Sequence, residues 1–71
     1  MQKGGSNKIP MISIKAARIN ANLKQKEVAK RMGIDPSTLG RWEKHPELMR
    51  YKEQKALAEM YNYPIDFIFF N

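Results

Sequence analysis

Between Val28 and Trp42 the chain places a small residue, a glycine and four apolar side chains at intervals that admit few local structures. Two short helices meet at a steep angle only under three conditions. A small residue on the first must let the second approach, a glycine must take the positive-φ turn, and apolar side chains must fill the corner from both sides. Here Ala29 is the small residue, Gly33 the turn and Ile34 the plug, while Val28, Leu39 and Trp42 supply the fill. Six positions satisfied jointly make a tight two-helix corner the expected core of the fold.

The rest of the chain reads as further short helices around that corner. Ser13 is placed to cap a helix over roughly 14–21, with Ile14 and Ala17 inward and Asn22 suited to a left-handed end. A second helix fits Gln25–Met32: Val28, Ala29 and Met32 form one stripe, Lys26, Lys30 and Arg31 point elsewhere, and Gly33 stops it. Asp35 followed by Pro36 is a strong helix start, since the carboxylate accepts first-turn N–H groups and proline needs no donor there. That third helix runs to about Glu43 or Lys44, and Pro46 forbids simple continuation, leaving 45–49 as a connector. A fourth helix is expected over roughly Tyr51–Tyr61 with Leu57, Ala58 and Tyr61 inward, and a short final one over Ile65–Phe70 after Pro64. No β-alternation persists. The expected fold is all-α: a compact bundle of four to five short helices in one domain over 13–71, behind a disordered leader at 1–12 rich in glycine, lysine and polar residues.

Seventy-one residues leave room for one core and no second sensing domain. The absence of cysteine excludes disulfides, thiolate metal sites and thiol catalysis, and a single histidine without clustered acids offers neither a metal site nor a nucleophile with its base. No enzymatic activity, metal, cofactor or small-molecule substrate is therefore expected. Apolar runs reach only four residues, as in Phe67–Phe70, far below the ~20 of a membrane span. The net charge of +6 is uneven: residues 13–33 carry +5, from Lys15, Arg18, Lys24, Lys26, Lys30 and Arg31 against Glu27, while 51–71 come to −1. A basic first half and an aromatic, nearly neutral end suggest a polyanion-facing surface and a separate packing or pairing surface.

At Leu23–Ile34, at Ser37–Glu43 and again at Leu57–Asp66 the sequence resembles the helix-turn-helix regulators of the Cro/C1 (Xre-like, phage repressor) family, over about residues 13–69. The resemblance implies a lambda-repressor-like DNA-binding domain with a recognition helix at about 36–44 lying in the major groove. It implies a phosphate contact for Gln25 at the start of the second helix, where free N–H groups make an anion site, with Lys26 beside it. Pro36, Ser37 and Thr38 would meet base edges or backbone. Arg41, a turn later, would read guanine through two bonds, and Lys44 would touch phosphate. Arg18 and Glu43 match a family pair tying the first helix to the end of the third. Two departures stand out: Pro36 replaces a longer polar chain, and Gly40 lies on the expected exposed side of the recognition helix.

Plainer readings accompany these assignments. Trp42 and the tyrosines read as packing residues, and the basic face of the second helix as solvated surface. Ile65, Phe67, Ile68, Phe69 and Phe70 cannot all be buried in so small a monomer, so part of this group is expected at an interface, with Ile65, Phe67, Phe69 and Phe70 as its candidates. The leading expectation is a phage- or prophage-type transcription regulator, cytoplasmic in a bacterial host and binding double-stranded operator DNA as a homodimer. Its alternative is a modulator or antirepressor that captures a partner repressor through the same fold. An antitoxin is a third reading.

Overall fold

The computed structural model of the chain describes residues 9–70. Four α-helices follow one another: α1 (Ile14–Asn20), α2 (Gln25–Met32), α3 (Pro36–Lys44) and α4 (Tyr51–Met60). Single turns of 3-10 helix occupy Pro46–Leu48 and Ile65–Phe67, and two short strands, β1 (Ile12–Ser13) and β2 (Ile68–Phe69), join the two ends of the domain. The fold is the expected all-α bundle around the α2–α3 corner.

Helix boundaries follow from local chemistry. Ser13 accepts the Ala16 N–H at 3.0 Å and so caps α1. Where no side-chain cap is available, an acid three residues on bonds back: Glu27 accepts the Lys24 N–H, and Glu53 the Arg50 N–H, each at 2.9 Å. Three helices end in the same way. Asn22, Gly33 and Asn62 take positive φ (62°, 70° and 54°), turning the chain back over the last turn. The next residue then donates to a carbonyl five positions earlier: Leu23 to Arg18, Ile34 to Ala29 and Tyr63 to Ala58. In each case that residue is apolar and packs against the core, which closes the helix end over it. α3 ends differently, on His45, which leaves the helical region at φ −132° and ψ 70° just before Pro46.

The core draws Ile14 and Ala17 from α1, Val28 and Ala29 from α2, Leu39 from α3, and Leu57 and Ala58 from α4, with Tyr61 and Ile68 closing it. Ile14, Leu39, Leu57 and Val28 are fully buried, each contributing about 1.5–3 kcal/mol of burial energy. Trp42 is half-buried and packs against this cluster. Met49, assigned only to a connector from the sequence, is buried as well, at 5% exposure. Unbranched and flexible, it fills the space where Pro46 ends α3 and the chain turns into α4.

The C-terminal segment differs from expectation. Instead of a helix over Ile65–Phe70, the chain makes one 3-10 turn and then extends, pairing in parallel with the N-terminal segment (Ile12 with Ile68, Ser13 with Phe69). Branched and aromatic residues suit an extended strand, and the pairing buries Ile68 against the core, which a helical continuation would not specify. The Tyr63 hydroxyl adds a bond to the Pro10 carbonyl at 2.6 Å. Of the leader expected over 1–12, residues 1–8 lie outside the described residues, and Pro10 and Ile12 make these contacts with the domain.

Tyr61 is 4% exposed, and its hydroxyl has no hydrogen-bond partner among the described residues. Burial, reinforced by the negative charge of Glu43 and opposed by Arg18, raises its pKa above the ordinary value of 10.0. The unfolded chain therefore loses this proton first. Stability conferred by the neutral phenol is present below pH 10 and declines as pH rises above it. Tyr61→Phe is expected to match the native domain at pH 7, or exceed it by up to about 1 kcal/mol, because it removes an unsatisfied hydroxyl. Thermal melts from pH 8 to 11 should show a shallower alkaline decline for the variant. An equal decline would place the titrating group elsewhere.

Candidate nucleic-acid interface

A cleft of about 550 Å³ lies where α1, α2 and α3 meet, lined by Lys15, Gln25, Ser37, Gly40, Arg41, Glu43, Lys44 and His45. Three different helices thus bring basic and polar side chains to one surface. Gln25 is the first residue of α2, Ser37 lies in the first turn of α3, and Arg41 and Lys44 lie in its last turn.

The first turn of α3 is tightly organised. Asp35 accepts both the backbone N–H of Ser37 at 2.9 Å and its hydroxyl at 2.7 Å on the same carboxylate oxygen. These two bonds, the hydroxyl first, hold the Asp35 carboxyl below its ordinary value of 3.8. They also decide what Ser37 can offer. A carboxylate only accepts, so the Ser37 proton points at Asp35 and its oxygen faces outward as an acceptor. An amino group on adenine or cytosine suits that oxygen better than a phosphate does. Pro36 is exposed beside it, and Thr38 is half-buried.

The last turn of α3 is tied to the other two helices through Glu43. Arg18 Nε donates to Glu43 Oε2 at 2.6 Å, Arg18 Nη2 to Oε1 at 3.3 Å, and Gln25 Nε2 to Oε1 at 2.9 Å. Arg18 Nη1 donates further to the Leu23 carbonyl at 2.9 Å. The Glu43 carboxylate is thereby enclosed by donors, and the open charges of the cleft are those of Lys15, Arg41 and Lys44. His45, at the mouth, stands 3.6 Å from Glu47 in a solvent-exposed pair.

Of the residues singled out from the sequence, Gln25, Ser37, Arg41 and Lys44 line the cleft together, whereas Lys26, Pro36 and Thr38 are not part of its wall. Lys15, Gly40 and His45 are members of the wall that the sequence reading did not assign to the site. The charge of Lys15 was visible, but only the packing of α1 against the corner brings it there. Gly40 is half-buried instead of lying on an open face: a Cβ built on it would meet Gln25 Nε2 at 3.8 Å. That is ordinary contact, and the backbone at Gly40 is not in the positive-φ region. Gly40→Ala is therefore expected to stabilise the domain by about 1 kcal/mol through helix propensity. Its melting temperature should rise by roughly 4–8 °C, and an unchanged or lower value would show that the wall does not tolerate a methyl group.

Among the terminal apolar residues, Phe67 and Phe69 are 37% and 46% exposed, while Ile65 and Phe70 are half-buried against the core. A second groove, of about 430 Å³, runs beside α4, with Tyr51, Lys55, Ala58, Tyr63, Pro64 and Ile65 in its wall. Among the described residues no helix is long and apolar enough to cross a membrane.

A family model described as a helix-turn-helix (HTH_3) matches residues 14–68. No curated protein and no solved structure is matched.

Proposed function

The chain belongs to the Cro/C1-type helix-turn-helix family of DNA-binding transcription regulators, and from that premise we propose that it is a small phage- or prophage-type regulator binding operator DNA as a homodimer. The observation that carries the reading is the cleft itself. Lys15, Gln25, Arg41 and Lys44 converge on one surface, and the acid among them is already satisfied by Arg18 and Gln25. α3 enters the major groove with Ser37 and Arg41 at base edges, Lys44 and the start of α2 hold phosphates, and Lys26, Pro36 and Thr38 flank the contact. The exposed Phe67 and Phe69 provide apolar surface for pairing two copies. Such a dimer reads two half-sites about one helical turn, roughly 34 Å, apart. This function places the protein in the cytoplasm of a bacterial host.

Fluorescence anisotropy with upstream DNA, titrated in salt, tests the proposal. With about four phosphate contacts per domain, log affinity falls with log salt at a slope of about −3.6 per domain, a loss of roughly a hundred-fold between 50 and 200 mM. Arg41→Ala should flatten the preference among sequences, whereas Lys44→Ala should weaken all of them alike. Absence of binding to any upstream duplex at low salt would count decisively against the reading.

A second reading, capture of a partner repressor, draws on the groove beside α4, whose wall mixes Tyr51, Tyr63, Pro64 and Ile65 with Lys55 and Glu59 and is separate from the basic cleft. Co-purification with the neighbouring repressor, together with loss of that repressor's DNA binding, would favour it.

A further inference from the structure

Glu43 is out of place by charge alone: a carboxylate in the wall of a cleft whose other ionised groups are Lys15, Arg41 and Lys44. On simple electrostatics it should repel a polyanion. Yet its side chain is only 4% exposed, and three donors reach it, two from Arg18 and one from the Gln25 carboxamide.

We propose that Glu43 is a positioning residue for DNA, anchoring the Gln25 carboxamide so that its second N–H faces the cleft as a phosphate donor. This rests on the DNA-binding reading and adds to it the orientation of one side chain. Two geometric facts support it. A carboxylate offers only lone pairs, so the Gln25 oxygen cannot face it, and the flipped amide is disallowed. Gly40, one turn before Glu43 on α3, lies beside the amide, its Cβ position 3.8 Å from Gln25 Nε2, at ordinary contact distance. The carboxamide is therefore confined between Gly40 and Glu43, at the first residue of α2, beside first-turn N–H groups that have no intrahelical acceptor.

Without the anchor, the amide rotates freely and presents its oxygen to a phosphate as readily as its nitrogen. An acidic residue thus raises affinity for an anion by fixing the polarity of its neighbour. The same network explains why the two contacts act together: Glu43 belongs to the recognition helix and Gln25 to the phosphate-facing end of α2, so the register of one helix sets the aim of the other.

The test is a double-variant cycle on the full chain, using a 20-base-pair mixed-sequence duplex at low salt, since phosphate contact does not depend on sequence. Gln25→Ala and Glu43→Gln should each weaken binding by about three- to ten-fold. The double variant should be no weaker than either single one. Losses that multiply, or a Glu43→Gln chain that binds as tightly as the native one, overturn the proposal. Should Glu43→Gln fail to fold, NMR on the native chain decides. One Gln25 Nε2 proton should keep its shift when duplex is added and the other should move; both moving, or neither, overturns it. A native chain that binds no duplex at low salt overturns the DNA-binding reading itself, an outcome distinct from normal binding with independent losses.

Discussion

Arg18→Met is expected to cost the domain about 3–5 kcal/mol, because it leaves the enclosed Glu43 carboxylate with Gln25 as its one remaining donor. A single core in a chain this short rarely supplies more than ~3–5 kcal/mol in all, so the variant should be largely unfolded at 37 °C. Replacing both members, Arg18→Met with Glu43→Leu, removes the buried charge together with its partner and should recover most of that loss, to within about 1 kcal/mol of native. The difference arises because the Coulomb attraction of a buried pair is mostly offset by desolvation, whereas an abandoned charge keeps the desolvation cost and loses the attraction. Urea denaturation of the two variants measures it. Equal losses in the single and double variants would mean that the pair stabilises the fold directly, and that its orienting role is secondary.

Leu39→Ala should be comparably damaging, at about 3 kcal/mol. Leu39 is fully buried and is the one residue of α3 in the innermost core, so its loss leaves a cavity under the recognition helix. Leu39→Met, close in volume, should cost below about 1.5 kcal/mol. The DNA-binding defect of Leu39→Ala should track the unfolded fraction and fade on cooling to about 10 °C. That of Arg41→Ala should persist at every temperature, because it removes a contact and leaves the fold intact. A Leu39→Ala domain with native stability would remove α3 from the core as described.

The elements that could be read from sequence are those whose causes are local. Ser13, Asp35 and Pro36 mark helix starts through bonds spanning a few residues, and Asn22 and Gly33 mark helix ends through their own backbone angles. The corner between α2 and α3 was legible because Ala29, Gly33, Ile34 and Leu39 meet within eleven residues. What escaped depends on distant partners. Ile68 and Phe69 extend because Ile12 and Ser13 lie alongside, a pairing across more than fifty residues that no local preference announces. Lys15 and His45 join the cleft through the packing of α1 and the turn before Pro46, and neither carries a motif. The bond from Gln25 to Glu43 spans eighteen positions, and the resemblance to a family offered a role for each residue without the link between them. Gly40 was read as an exposed departure. Its half-buried setting depends on Gln25 of α2, fifteen positions away, whose Nε2 lies 3.8 Å from the Gly40 Cβ position.

The parallel pairing of Ile12–Ser13 with Ile68–Phe69 has a mechanical consequence. Because the two strands run the same way, one chain end leads in at one extremity of the ladder and the other leads out at the opposite extremity. Tension between those ends slides the strands past each other in shear, loading their hydrogen bonds simultaneously, where an antiparallel clasp would unzip them in turn. A pulling force therefore meets this clasp before it can uncoil any helix behind it.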